Sequence, residues 1–387
     1  VSAADRARAA LVDGLIARGV VRDPAVEDAL RAVPRHLFLP GSPVAVAYAD
    51  DAVAVQHVDG VPTSSASQPS MVAIMLGQLD LRPGLRVLEI GAGTGWNAAL
   101  MARLVGPEGS VVSVDIDADL VRTAGEHLAA AGVRGVTLAV GDGALGHAAG
   151  APYDRIVLTV GSADVRPEWV AQLVPGGRLL LPLDLRGSQV SVALDRGADG
   201  VLRSRSLCGC GFIRLRGAAA PADPAAVPLP GGARLLRPAG APPVDATRLA
   251  AALARPGRPV RCPVALEAGD LWGGFGLWLL LSEPGAARLL TGPGLPDVHL
   301  ALVGEDGIAT VAAAVEPTAV VPAGPGGEAL AGRLLAALDA WAAAGRPGAS
   351  DWSLVVHPGA PPDRPDPRVV VLPHAWVACA PRRSFPG

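Results

Sequence analysis

Lysine is missing from this chain of 387 residues: all 33 Lys and Arg side chains are arginine, and Asn97 is the single asparagine. With the abundance of Ala, Gly, Pro and Arg, this pattern looks like the codon bias of a GC-rich genome. The 48 glycines and 37 prolines are therefore no evidence of disorder. Cationic excess is also lacking. A formal charge of −3 leaves no electrostatic footprint for nucleic acid or an anionic membrane, so neither is expected as a partner. Cysteine is scarce, and Cys208, Cys210, Cys262 and Cys379 make no C-x-x-C pair; reduced thiols are expected and no metal site. No apolar stretch is long enough for a bilayer, since Leu271–Leu281 is too short to span one. The N-terminal segment is polar and helix-like, without an apolar run behind a basic one. The expectation is a soluble, cytoplasmic protein, long enough for about two domains.

What the chain does contain is concentrated at residues 86–97, Arg-Val-Leu-Glu-Ile-Gly-Ala-Gly-Thr-Gly-Trp-Asn. Val87, Leu88 and Ile90 suit a short buried strand, and a helix is expected from Ala98 to Val105. Between them, Gly91, Gly93 and Gly95 let the backbone turn tightly and let a ligand approach. The spacing Gly-x-Gly-x-Gly differs from the G-x-G-x-x-G of a pyrophosphate binder.

Downstream the pattern alternates strand and helix: strands at 110–114, 136–140, 155–160 and 178–183, helices at 117–131 and 167–174. Strands at 188–194 and 201–215 can pair as an antiparallel edge. Such alternation predicts an α/β fold, Rossmann-like and doubly wound, with a mainly parallel sheet. Ligands of such sheets sit beyond the carboxyl ends of the strands. Asp115 ends the second strand about 20 residues after the glycine loop, where an acid can hold a ribose diol. Asp142 between two glycines would by itself be a turn residue; in register with the loop and Asp115 it reads as a ligand. Upstream, helices are expected at 3–18 and from Pro24 to Val33, the second capped by Asp23, with residues 41–62 mostly loop. Thr63, Ser64, Ser65, Ser67 and Ser70 then precede a helix carrying Met71, Ile74, Met75 and Leu79. Ser70 is the expected N-cap, and so many hydroxyls at a helix start suit a carboxylate ligand.

The order of these motifs is specific. Val33-Pro34-Arg35-His36-Leu37-Phe38, Ala47-Tyr48-Ala49-Asp50, Ser67-Gln68-Pro69, Val87 through Gly95, Gly141-Asp142-Gly143 and Gly176-Gly177-Arg178-Leu179 resemble the protein-L-isoaspartate O-methyltransferase family, over residues 15–215. The resemblance implies a class I methyltransferase using S-adenosylmethionine and no metal. The cofactor would be held by Glu89, Gly91, Gly93, Thr94, Gly95, Asp115, Asp142 and Gly143. Ser67, with Ser65, falls at the family's active-site serine, beside Thr63, Ser64, Gln68 and Ser70 on the acceptor side. The partner it implies is a peptide or protein bearing an aspartyl or isoaspartyl carboxylate. Where the family reads Gln-Thr-Ile-Ser-Gln-Pro, this chain reads Ser64-Ser65-Ala66-Ser67-Gln68-Pro69. That departure, with the length beyond residue 217, resembles the branch that methylates ribosomally made peptides such as lanthipeptides, the ester going on to aspartimide. The expected function is accordingly methylation of a precursor peptide. The alternatives are isoaspartyl repair and a silent cofactor-binding scaffold.

The remaining third is expected to divide into a linker at 217–245 and a smaller α+β accessory domain at 246–387 with its own core. His299–Val303 and Ile308–Ala313 flank a hairpin turn, Glu328–Ala344 is a helix, and Trp352–Val356 and Val369–Leu372 are strands.

Overall fold

Local signals set the first elements. Ser2 accepts from the Asp5 amide while the Asp5 carboxylate accepts from the Ser2 amide, a reciprocal cap that opens helix α1 (Ala3–Ala17). Asp23 caps α2 (Pro24–Ala32), with proline at its first turn. The computed structural model describes residues 2–220, 225–238, 241–262, 264–292, 297–313, 318–362 and 368–382. A short α3 (Val44–Ala47) is followed by β1 (Val53–Val58), β2 (Val61–Ala66) and α4 (Pro69–Leu79). Then come β3 (Arg86–Ile90), α5 (Trp96–Val105), β4 (Ser110–Asp115), α6 (Ala118–Ala130), β5 (Val136–Val140), β6 (Tyr153–Leu158), α7 (Pro167–Gln172), β7 (Leu173–Leu185), β8 (Ser188–Arg196) and β9 (Leu202–Gly209). The last part holds β10 (Ala225–Pro228), β11 (Arg234–Arg237), α8 (Ala246–Leu253), β12 (Val260–Arg261), α9 (Phe275–Ser282), β13 (Ala286–Thr291), β14 (Asp297–Val303), β15 (Ile308–Ala312) and β16 (Ala319–Ala323). Helix α10 (Gly327–Ala343), β17 (Trp352–Pro358), β18 (Val369–Val371) and β19 (Ala375–Pro381) complete it.

The main sheet has ten strands in the order β18-β19-β17-β9-β8-β7-β6-β3-β4-β5. Pairing is parallel from β7 to β5 and antiparallel from β7 to β18. Alternation puts Val87 and Val157 on the face covered by α1, α2, α4 and α5, and Leu88, Ile156 and Leu158 on the opposite face. The order reverses between β3 and β6, where a doubly wound sheet opens a crevice for a ligand.

Beyond residue 217 the structure divides differently from the expectation. The expected linker carries β10 and β11, which join β13 in a second, seven-stranded antiparallel sheet; its residues 221–224 and 239–240 lie outside the described ones. Its Ala-, Pro- and Gly-rich composition conceals these two four-residue strands. Nor do the last strands belong to a separate domain. Val355 and Val356 of β17 pair with Arg203 and Leu202 of β9, extending the main sheet by three strands. An unpaired β9 edge would offer a row of free amides and carbonyls, and β17 covers it. The core follows the sheet: one buried cluster runs from Leu88 through Trp169 to Trp341 and Val377. The apolar run at 271–281 supplies α9, buried from Phe275 to Leu281, and no helix among the described residues is long and apolar enough to cross a membrane.

Two arginines fasten α9 and the second sheet to the main sheet. Arg186 donates to Leu280 O (3.3 Å) and Val369 O (2.9 Å). Arg288, 2% exposed, donates to Gly187 O and Ser188 Oγ, both at 2.6 Å, and to Leu271 O.

Two further differences shape the site. Residues 53–66, expected as loop and polar stretch, form the β1–β2 hairpin, closed by Asp59-Gly60 at φ 49° and 77°. Its polar residues and two register shifts hide it from a period-2 reading. The strand expected over 201–215 ends at Gly209; residues 210–216 leave the sheet and pair only briefly with Gly161.

Candidate active site

The serine stretch is positioned from below by an arginine. Arg35, 1% exposed, follows α2, and its guanidinium donates to Ala47 O (2.6 Å) and Ser67 O (3.0 Å), with longer contacts to Asp51 O and Ala66 O. The cation lies 5.1 Å from the centroid of the Trp96 ring. Burial pushes its pKa down to about 10, which leaves it cationic at neutral pH. The helix start behind the serines is occupied differently from the expectation. Asp50 accepts the Ser70 amide (2.8 Å), Gln68 donates its side-chain amide to Asp50 O (2.7 Å), and Gln68 is the cap residue without a side-chain cap bond. Ser70 is thus neither the N-cap nor part of the cavity wall.

The three glycines of the loop each have their own reason, all at positive φ. A Cβ at Gly91 would stand 2.5 Å from Thr159 Oγ1, whose hydroxyl donates to Gly91 O. A Cβ at Gly95 would press on Ala124, so this glycine serves the approach of α6. At Gly93 the nearest groups are Ser65 O at 3.8 Å and Ser64 Oγ at 3.9 Å. A side chain there would project into the space between the loop and the serine strand. His127 fixes the loop from behind: its Nδ1 lies 3.0 Å from Thr94 O, so that nitrogen carries the proton.

Asp115 is 9% exposed and accepts from the Gly93 amide (3.1 Å) and the Asp117 amide (3.2 Å). Arg216 approaches it to 3.8 Å and Asp117 to 4.0 Å. Asp117 also accepts from Gln56 of the hairpin, and Gln56 accepts from Thr63. Hairpin and cofactor loop are thereby tied together. Asp142 is placed otherwise than expected: its carboxylate accepts from the amides of Ala144 (2.9 Å) and Ala218 (2.7 Å) and fastens the later chain to the end of β5. Gly143, next to it, does line the cavity.

Glu89 is fully buried beneath the loop, accepting from Asn97 Nδ2 (2.8 Å) and paired with Ser113 Oγ. Desolvation outweighs these bonds and pushes its pKa up to about 7 from 4.5. The folded state therefore holds the proton more tightly than the unfolded chain. Stability that Glu89 contributes at acidic pH is lost as pH rises from about 4.5 to 7, a change of about 3 kcal/mol. In urea unfolding between pH 5 and 8, Glu89→Gln should gain on the wild type as pH rises; a constant difference would contradict the assignment.

These elements enclose a cavity of about 490 Å³. Of the residues singled out in the sequence, Thr63, Ser64, Ser65, Ser67, Gln68, Gly91, Gly93, Thr94, Asp115 and Gly143 line it; Glu89, Gly95, Ser70 and Asp142 do not. Asn97, Thr159, Arg214 and Arg216 also line it, and the sequence reading did not single them out. Only the glycines at 209 and 211 hinted that β9 breaks there. Cys210 is on the wall too, and burial pushes its thiol above the ordinary range. The volume and mixed lining suit a ligand of nucleoside-cofactor size. S-adenosylmethionine fits the donor set. Gly93 leaves open a space that a Cβ would fill, Asp115 offers a carboxylate for a ribose diol, and Ile90, Val114, Ile116 and Leu120 give apolar surface.

Known proteins agree with this layout. The family profile described as protein-L-isoaspartate(D-aspartate) O-methyltransferase (PCMT) matches residues 6–220. A Methanopyrus kandleri protein named protein-L-isoaspartate O-methyltransferase is 40% identical over 213 residues, covering 55% of this chain and 92% of that protein. One of the same name from Hyperthermus butylicus is 36% identical over 219 residues, covering 54% of this chain and 89% of that protein. A solved structure named protein-L-isoaspartate O-methyltransferase shares the fold at a TM-score of 0.52 and 24% identity, over 90% of this chain and 96% of that one. The chain belongs to the protein-L-isoaspartate(D-aspartate) O-methyltransferase family, S-adenosylmethionine-dependent enzymes.

Proposed function

We propose that this enzyme methylates the carboxylate of isoaspartyl residues in proteins and peptides. The carrying observation is the opposition of Gly93 to the Ser64–Ser65 strand across the cavity, which sets an acceptor-side wall of hydroxyls against the cofactor loop. When bound, S-adenosylmethionine supplies an electrophilic sulfonium methyl group. A carboxylate is already ionised near neutral pH, at a reference pKa of about 3.9, so no general base is required. Among the described residues lining the cavity, only Asp115, Arg214 and Arg216 carry a formal charge, and no histidine is present. Asp115 already accepts two backbone amides of the cofactor side. Catalysis then rests on placing the acceptor in line. Ser67 and Ser65 orient its carboxylate, and Arg35 holds the Ser67 backbone in place. Gly91, Gly93, Thr94, Asp115 and Gly143 hold the cofactor. Four cysteines without disulfide partners suit a reducing, cytoplasmic setting.

Isoaspartyl repair fits better than the dedicated precursor peptide expected from the serine stretch and the extra length. The relatives named above carry the isoaspartate activity in their names, and none is named for a ribosomal peptide. Incubation with S-adenosylmethionine and an isoaspartyl peptide, read by mass spectrometry, should give a single added methyl ester. No ester on that peptide would reject the proposal. Ser67→Ala should keep the cofactor affinity and lower kcat about tenfold or more, as expected for loss of an orienting hydrogen bond; unchanged turnover at saturating peptide would remove Ser67 from this role.

A further inference from the structure

The β1–β2 hairpin stands apart from both large sheets, its strands pairing only with each other among the described residues. A lone two-stranded ribbon is marginally stable in water, so its place at the cavity depends on side-chain ties to its surroundings. Its irregularities fall where such a tie is made. The two register shifts leave Val55 in β1 and Thr63 in β2 without an opposite residue, on either side of the Gln56–Ser64 pair. Bulges of this kind re-aim a side chain. Gln56 reaches out of the hairpin: its Nε2 donates to Asp117 Oδ2 (2.8 Å), while its Oε1 accepts from Thr63 Oγ1 (2.8 Å). Thr63 lines the cavity, beside the serines of the acceptor wall.

Asp117 belongs to the opposite wall. Its Oδ1 caps α6 through the amides of Asp119 and Leu120, and its own amide donates to Asp115. Ile116 and Leu120, on either side of it, line the cavity together with Asp115. Segment 115–120 is therefore both a surface for the cofactor and the anchor of the hairpin. The Gln56 hydrogen bond, followed by the Leu120 and Asp119 amides, holds the Asp117 carboxyl below its ordinary value.

We propose that Gln56 is a positioning residue for the acceptor, through which an occupied cofactor site raises the affinity for the peptide. The proposal rests on the carboxylate methylation above and names the residue that links its two binding sites. A ligand seated on Asp115, Ile116 and Leu120 restricts the segment that carries Asp117. Gln56 passes that restriction to Thr63. The hydroxyl wall is then already ordered when the peptide arrives, and less freedom is lost on binding. By linkage, bound peptide raises the affinity for the cofactor by the same factor.

The test measures the affinity of the whole chain for an isoaspartyl peptide by calorimetry, with and without saturating S-adenosylhomocysteine, which has no methyl group to transfer. The wild type should bind the peptide about tenfold more tightly in its presence, within the usual range of such coupling. Gln56→Glu sets a second carboxylate against Asp117, and the ratio should fall to about one. Adding Asp117→Asn supplies a donor to the new carboxylate, keeps an oxygen for the α6 cap, and should restore the ratio. A hairpin that is merely loosened would weaken peptide binding equally in both conditions and leave the ratio of Gln56→Glu unchanged. That result overturns the proposal, as does a double variant without recovery. Should Gln56→Glu fold poorly, Gln56→Met, of similar length but without either bond, should bring the ratio to about one, and a wild-type ratio there overturns the proposal. A wild type that methylates the peptide with no coupling overturns the role of Gln56 alone. A wild type that neither binds nor methylates it overturns the carboxylate reading and the role of Gln56 with it.

Discussion

Arg35→Met should cost about 3–5 kcal/mol of unfolding free energy and slow methyl transfer in whatever enzyme remains folded. The guanidinium is the common donor for carbonyls at Ala47, Asp51, Ala66 and Ser67, which belong to three different segments. Methionine fills similar volume but leaves these acceptors without their donor in a dry site, at about 1–3 kcal/mol for each group that finds no water. It also removes the cation from the Trp96 face. The loss is not confined to stability, because Ser67 is one of the residues released. The expected pattern is a lower urea midpoint, and a raised KM for peptide with a nearly unchanged affinity for S-adenosylmethionine. Arg35→Lys should lie between, since an ammonium has three donors on a point rather than a planar fork. A wild-type unfolding curve for Arg35→Met would contradict this account.

Asp115→Ala should weaken S-adenosylmethionine binding about a hundredfold, close to 2.7 kcal/mol, with little change in the urea midpoint. Two losses add. In the proposed role, the carboxylate would no longer meet the ribose diol, a charge-assisted contact worth about 1.5–3 kcal/mol. The amides of Gly93 and Asp117 also lose the acceptor that sets the loop. Asp115→Asn keeps one acceptor oxygen and should lose less. Because Arg216 sits 3.8 Å from Asp115, the alanine variant also leaves that cation nearer to Asp117 alone. Titration calorimetry reads the effect directly, and wild-type affinity in Asp115→Ala would end the ribose assignment.

The parts legible in the sequence are those written in adjacent residues. Strand, glycine loop and helix from Arg86 to Val105 follow from one apolar run and three glycines, and Asp115 follows from its place at a strand end. Asp142 shows the limit of that reasoning. A carboxylate that caps the next turn and one that meets a ligand occupy the same place after a strand, and only the Ala218 amide, 76 residues on, separates the two. Arg35 is illegible for a similar reason, since its partners lie 12 to 32 residues away and are carbonyls that any sequence supplies. The hairpin escaped because serine and threonine face the cavity where apolar residues would mark a strand. The late strands were recognisable as strands, but alternation reports faces and not neighbours. Nothing in Trp352–Val356 announces β9 as its partner.

That pairing of β17 with β9 gives the molecule an unusual mounting. Residues 225–343 leave the main sheet after β9 and return to it at β17, so the seven-stranded sheet is an insertion clamped at two adjacent points rather than a tail on one tether. A body held in this way cannot swing as a free arm. It also sets an order of assembly on the ribosome: the family core emerges first, and its β9 edge stays open until the last three strands have been made.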